Sequence, residues 1–288
     1  MGSQRCEDPS LIDSILERVW PAGVDSVEPL GGGITNRNFK VTTGGEAFVL
    51  RIGGKDTGLL GIDRNVEHTA SLAAARLGIA PEVVGFVEPE GYLVTRFVDG
   101  EIGRVSIEEA AELLRRLHSA PPIAGRFDSF RVVEAYAEIA GRPVPEWAGD
   151  IARRIESQRR SAPLVACHND LLAANFIHDG SRVWVVDWEY AGMGDPAFDL
   201  ANFAVNNGLD EDGDRALLAA YGAVDEDAHV LMRFMSDFRE AMWGVVQEAV
   251  SELDFDFVRY ADEHFARLER TAAEPRFSIA LTPSDGNE

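Results

Sequence analysis

Apolar and polar positions alternate with two periods along this chain, and the changes of period mark its elements. Leu11, Ile12, Ile15, Leu16 and Val19 share one face of a helix over residues 10–20, which Pro21 and Gly23 end. Short β-branched runs then predict strands over 24–30, 39–42 and 47–52. The first two are joined by Gly31-Gly32-Gly33-Ile34-Thr35-Asn36-Arg37-Asn38, the second and third by Gly44-Gly45. The helical period returns over 63–77 with Val66, Ala70, Ala73, Ala74 and Leu77 inward. Two more strands, 83–87 and 92–97, flank the turn residues Glu88-Pro89-Glu90-Gly91. Five strands with one main helix between the third and fourth predict a small α+β lobe over 1–97, with a hinge at Val98-Asp99-Gly100.

Beyond the hinge the pattern is mostly helical, which predicts a larger second lobe over 98–274. Ser106-Ile107-Glu108-Glu109 is a capping box opening a helix to His118. Helical pieces follow near 129–140 and 146–160, a segment to which the sequence assigns no chemistry. Pro196 opens a helix through 206, and long helices span about 226–251 and 254–272. Leu231, Phe234, Met235, Phe238, Met242, Val245, Val246 and Ala249 give the first of that pair a wide apolar face. Residues 275–288 read as a loosely ordered tail, and no internal repeat is visible.

Between the helical blocks lie two short apolar runs, Leu164-Val165-Ala166 and Val183-Trp184-Val185-Val186, each reading as a buried strand. The first leads into His168-Asn169-Asp170, with Asn175 five residues on; the second leads into Asp187. Phosphoryl transfer needs a carboxylate to take the proton of the attacking hydroxyl and oxygen ligands for Mg²⁺. Asp170 with Asn175 has the base-then-metal spacing of a kinase catalytic loop, and Asp187 stands where the second metal-binding carboxylate belongs. A lone Asp-x-x-x-x-Asn carries little; the two strands and the second carboxylate give the pattern its weight. Asn169 replaces the usual Arg of that loop, so no cation is present there to read a phosphorylated activation segment.

The glycine-rich link lets backbone N–H groups approach phosphate, which makes Gly32, Gly33, Thr35 and Asn36 candidates for nucleotide binding. It is not G-x-G-x-x-G and opens no helix, so a Rossmann reading fails; three glycines are also a common hairpin turn. Arg51, in the otherwise apolar third strand, is the candidate phosphate cation, with Glu67 on the next helix as its partner. Thr95 and Phe97, ending the fifth strand before the hinge, complete the nucleotide set.

Composition narrows the field. The chain has 288 residues, 45% hydrophobic, enough for two lobes with cores of their own. A formal net charge of −22 repels nucleic acid, gives no sign of an anionic-lipid partner and favours a cationic substrate, though it equally serves solubility. No run approaches a membrane span and the N-terminus has no apolar signal core, so a cytoplasmic location is expected. Cys6 and Cys167 fit free thiols in a reducing compartment. The six histidines show neither H-x-H nor H-E-x-x-H spacing, which weighs against a metal-dependent hydrolase.

Taken together these segments resemble the choline/ethanolamine kinase family, within the aminoglycoside-phosphotransferase-like kinases, over nearly the whole chain. GGGITNRNFKV resembles its nucleotide loop, FVLRIGG its third strand with Arg for Lys, HNDLLAANF and VVDWEYAGMGDPAFDLANF its catalytic and metal segments, and MWGVVQEAVSELDFDFVRYADEHFARL its C-terminal helical pair. The resemblance implies a bilobal protein-kinase-like fold, ATP and Mg²⁺ as cofactors, Asp170 as base, Asn175 and Asp187 as metal ligands and Glu189 as a second-layer or substrate carboxylate. It also implies an aromatic pocket for a cationic head from Tyr190, Trp243, Phe255 and Tyr260. A quaternary ammonium donates no hydrogen bond and is recognised by aromatic faces. Each of those rings taken singly fits helix packing as well. The resemblance implies choline first as the acceptor, with ethanolamine, thiamine or an aminoglycoside as alternatives. The family often has a second Trp three residues after the first, and here that position is Val246, which reduces the advantage of choline over ethanolamine or another amino alcohol. A catalytically silent nucleotide-binding scaffold is the reading from another class. The small-molecule alcohol is the only partner implied, and the sequence is silent on oligomeric state.

Overall fold

A computed structural model describes residues 9–31, 36–54, 57–159, 163–222, 224–251 and 253–282. The chain divides into two compact units, Met1–Lys55 with Pro81–Val98, and Asp56–Ala80 with Asp99–Glu288.

The first unit holds α1 (Pro9–Val19) and an antiparallel sheet of β1 (Ser26–Leu30), β2 (Arg37–Thr43), β3 (Glu46–Ile52), β4 (Val83–Val87) and β5 (Tyr92–Arg96), in the order β1-β2-β3-β5-β4. Period-2 alternation explains the core: Phe48, Leu50 and Ile52 of β3 join Val41, Val94 and the α1 residues Ile15 and Leu16. Gly44 and Gly45 both adopt positive φ, 59° and 82°, as a two-residue hairpin turn requires. Arg18 at the end of α1 donates to Glu90 at 2.7 Å and to the carbonyl of Glu88 at 2.6 Å, tying the helix to the β4–β5 turn.

The helix between the third and fourth strands, α2 (Arg64–Arg76), is capped by Asp63 and groups with the second unit, whereas the sequence pattern counts it with the first lobe. That unit continues with β6 (Glu101–Ile102), α3 (Ile107–His118), α4 (Ser129–Ile139), α5 (Glu146–Gln158), β7 (Val165–Cys167), β8 (Phe176–His178), β9 (Val183–Val185) and β10 (Gly192–Gly194). It ends with α6 (Pro196–Asn206), α7 (Glu211–Tyr221), α8 (Glu226–Val250), α9 (Phe257–Ala273) and α10 (Pro275–Ala280). Two small antiparallel sheets, β6-β8-β9 and β7-β10, lie among these helices. Their core joins Ala70 and Ala74 of α2, Leu113, Leu114 and Leu117 of α3, and Leu200 and Phe203 of α6.

Several elements go beyond the sequence pattern. β6, β8 and β10 have three residues or fewer, too short for alternation to register, and β10 is Gly-Met-Gly. Its glycines have a packing reason: a Cβ on Gly194 would sit 3.1 Å from Asn169 Oδ1, and one on Gly192 3.1 Å from the Arg126 amide nitrogen. The expectation of a loose tail from Pro275 is corrected. Residues 275–280 form α10, with Pro275 in the first turn, Phe277 buried and stacked on Phe234 at 5.4 Å, and Arg276 paired with Asp214 at 2.6 Å. Residues 283–288 lie outside the described residues. No helix among the described residues is long and apolar enough to cross a membrane.

Candidate active site

The segment after β7 is built on one carboxylate. Asp199 of α6, fully buried, accepts the amide of His168 at 2.9 Å and that of Asn169 at 2.6 Å, and lies 3.0 Å from His118 Nε2. One turn on, Asn202 Oδ1 accepts the amide of Leu171 at 2.6 Å. Buried backbone N–H groups need such acceptors, and the i, i+3 spacing presents both side chains from one helix face. His168 Nε2 lies 3.1 Å from the Val186 carbonyl and Nδ1 3.2 Å from the Asp170 amide, which assigns the Nε2–H tautomer. The His118, Asp199 and Cys167 ligand atoms cluster tightly, but Asp199 already serves two amides and burial raises the Cys167 thiol well above its usual range, so the trio reads as packing rather than a cation site.

Two residues here adopt the left-handed backbone without being glycine, Asn169 at φ 66° and Asp187 at φ 69°. Such a conformation costs about 1–3 kcal/mol and persists where the surroundings fix it. Asn169 is held by Asp199 and by its own Nδ2, which donates to the Tyr190 carbonyl at 3.0 Å.

Asp170 is 6% exposed. Its carbonyl accepts Asn175 Nδ2 at 2.8 Å, which assigns the nitrogen and leaves Asn175 Oδ1 as an oxygen donor. The Val186 amide donates to the Asn175 carbonyl at 3.0 Å, setting Asp187 beside Asn175. An amide oxygen and a carboxylate are the hard donors that suit Mg²⁺. The Asp170 carboxyl is pushed up to about 7 by burial; Arg239 pulls it down, while Glu240, Asp187 and Glu189 push it up. These carboxylates therefore share one electrostatic field.

Three charged residues that the motifs do not single out complete the arrangement. Arg64, at the start of α2, donates to Glu67 at 2.6 Å and to Glu189 at 3.2 Å. Arg239 of α8, 1% exposed, donates to Asp170 Oδ1 at 3.0 Å and bonds its neighbour Glu240. Glu240 Oε2 in turn accepts the Tyr260 hydroxyl at 2.8 Å. For Arg239 and Glu240 the signal in the sequence is an adjacent charged pair inside the apolar stretch of α8, where a charge is costly unless paired.

Trp243, 7% exposed, meets Phe257 and Tyr260 edge-on at 5.8 and 5.3 Å, and Phe255 lies 6.0 Å from Tyr260. A cavity of about 270 Å³ opens beside them, lined by Phe255, Asp256, Arg259, Tyr260 and Glu263. Val246 is fully buried. Tyr190 differs from the expected set: the Arg239 guanidinium stands 4.4 Å from its ring centre, so that face already holds a cation.

Of the nucleotide set, Gly32, Gly33 and Thr35 lie outside the described residues, and Asn36 is buried. Arg51 lies on β3, facing Asn38 and Leu93, and is mostly buried. Thr95 pairs with Val49 and Val83; the Phe97 amide donates to Ala47 at 3.0 Å and its ring carries Lys40 Nζ at 4.2 Å. Glu67, expected to hold Arg51, lies on α2 with Arg64 as its ion-pair partner there.

The pattern of the phosphotransferase enzyme family matches residues 26–238. A crystal structure of a choline/ethanolamine kinase family protein from Mesorhizobium loti superposes with a TM-score of 0.81 at 32% identity, covering 94% of this chain and 97% of that one. Protein LicA of Haemophilus influenzae is 27% identical over 210 residues, 66% of this chain and 61% of LicA, so the match spans less than two thirds of that relative. Thiamine kinase of Escherichia coli is 28% identical over 210 residues, 70% of this chain and 74% of that protein.

Proposed function

We propose, for a chain that belongs to the phosphotransferase enzyme family and is a small-molecule kinase, that the acceptor is the hydroxyl of a small cationic amino alcohol, choline before others, with ATP as donor. The observation that carries this reading is the cluster of Trp243, Phe255 and Tyr260, whose Tyr260 hydroxyl donates to Glu240, itself joined to Asp170 through Arg239. Aromatic faces with a nearby carboxylate suit a head group that donates no hydrogen bonds.

In this reading Asp170 orients the hydroxyl and accepts its proton as the oxygen attacks the γ-phosphorus; the bond to ADP breaks and a phosphomonoester leaves. Asn175 Oδ1 and the Asp187 carboxylate would hold Mg²⁺, which would supply neutralisation of charge on the phosphate oxygens. Arg64 keeps Glu189 and Glu67 paired, so that side of the site is fixed before substrate arrives. Arg51 with Asn36 and the glycine-rich segment serves the phosphates.

Thiamine is the second reading, favoured by the Escherichia coli relative. It also joins a hydroxyethyl group to a permanent cation. ADP release with Mg·ATP against choline, ethanolamine, thiamine and kanamycin separates the two. Choline is expected to give the highest kcat/KM, and a higher value for thiamine would replace it.

A further inference from the structure

Arg239 is an unusual residue to find where it is. It sits on α8 among Phe238, Ala241 and Met242, all fully buried, and is itself 1% exposed. A buried ion pair is weak support for stability, because apolar residues of similar volume often serve as well. The position therefore asks for another reason, and the contacts supply one. Nη1 donates to Asp170 Oδ1 at 3.0 Å and bonds Glu240, Nη2 lies 3.4 Å from the Asn169 carbonyl, and the guanidinium plane stands over Tyr190. The same fork thus holds the catalytic carboxylate, the backbone one residue before it and the acidic neighbour on its own helix.

We propose that Arg239 is a positioning residue for Asp170, fixing one carboxylate oxygen so that the other is aimed at the acceptor hydroxyl, and that Glu240 holds Arg239 in place. Among the hydrogen bonds of the described residues, Asp170 Oδ2 accepts none. The carboxylate torsion is broad when neither oxygen is held, and a single directional donor narrows it. Arg is suited to this because its planar fork reaches two acceptors in fixed geometry, which an ammonium does not. Glu240 spends its second oxygen on the Tyr260 hydroxyl, so the clamp ends in the aromatic cluster. The base and the head-group site therefore share one hydrogen-bonded chain, Asp170–Arg239–Glu240–Tyr260. The inference rests on the kinase reading of Asp170 and adds to it a residue that touches no substrate.

The test uses the full chain with Arg239→Met and Arg239→Lys, measured for kcat, KM, nucleotide affinity and melting temperature. Misplacing a reacting group by about an ångström costs on the order of 100-fold in rate. Arg239→Met is expected to lose kcat on that scale, with the KM of the alcohol within about threefold and nucleotide affinity unchanged. Arg239→Lys, which keeps the charge and loses the fork, is expected to lose about tenfold in kcat. A folded Arg239→Met that keeps kcat within about threefold, or whose loss lies wholly in KM, overturns the proposal. Should Arg239→Met fail to fold, Arg239→Lys decides by the same criterion. Wild-type silence on every alcohol would reject the acceptor reading instead. Crystal structures of wild type and Arg239→Lys then decide the positioning: an Asp170 carboxylate turned from its native orientation supports it, and an unmoved one rejects it.

Discussion

The Asp199 carboxylate lies 2.6 Å from the amide nitrogen of Asn169, the residue whose φ of 66° turns the chain into Asp170. Its other oxygen takes the His168 amide and the His118 ring, so one buried group determines the path of the segment that carries Asp170.

That relationship can be tested by Asp199→Ala, which leaves two buried amides and His118 without their acceptor. Removing one partner of a buried charged network costs about 3–5 kcal/mol. A lower melting temperature and a kcat reduced at least about 100-fold are expected together. A variant with wild-type melting and turnover would show that the segment holds its shape without Asp199.

Asp170→Asn keeps the shape of the side chain and removes the base. General-base catalysis contributes about 10²–10⁴ in rate, so kcat is expected to fall in that range while nucleotide affinity is retained. Near-normal turnover would remove the role assigned to Asp170.

The raised Asp170 carboxyl, about 7 through burial with Arg239 opposing, sets a pH dependence. Protonated Asp170 cannot accept the hydroxyl proton, so kcat is expected to fall as pH drops below about 7. For stability the sign is opposite to the usual carboxylate. Between the ordinary value of 3.8 and about 7 the folded chain holds the proton more tightly than the unfolded one, so this group's contribution declines as pH rises across that window. Asp199 runs the other way: burial raises it, but the His118 hydrogen bond and the backbone amides leave it lowered, so its contribution is lost as pH falls. A pH–kcat profile flat between 5.5 and 8.5, roughly a unit and a half either side of 7, would contradict the Asp170 assignment.

Helices α1, α2 and α8 were legible because helical burial imprints on residue order, and α3 and α6 because a capping box and Pro196 mark their starts. The placement of Asp170, Asn175 and Asp187 just beyond two short strands was legible because they follow the apolar runs at fixed offsets. Arg239 and Glu240 were not, since partners 69 and 20 residues away decide whether a charged pair on a helix is solvated or buried. The resemblance places Tyr190 among the substrate rings, and nothing local in the sequence reveals that Arg239 stands over it. Arg64 carries no signal in the sequence beyond its i, i+3 spacing to Glu67. α10 was too short, at six residues, for periodicity to separate it from a tail.

The largest buried side chain of α10 is Phe277. Phe277 is 1% exposed and stacks on Phe234, and Phe→Ala in a core costs about 3–5 kcal/mol. Phe277→Ala is expected to lower the melting temperature by many degrees while leaving the KM of the folded enzyme unchanged. An unchanged melting temperature would return residues 275–280 to the status of a tail.

The most direct test of the central claim is ADP release with Mg·ATP on choline, ethanolamine, thiamine and kanamycin, run on wild type and Trp243→Ala side by side. Loss of a desolvated cation–π contact of about 2 kcal/mol corresponds to roughly a 30-fold change. Choline-dependent turnover whose kcat/KM falls by about that factor in Trp243→Ala is the expected result. Turnover that ignores Trp243 would contradict the assignment of the aromatic cluster as the site of a cationic head group.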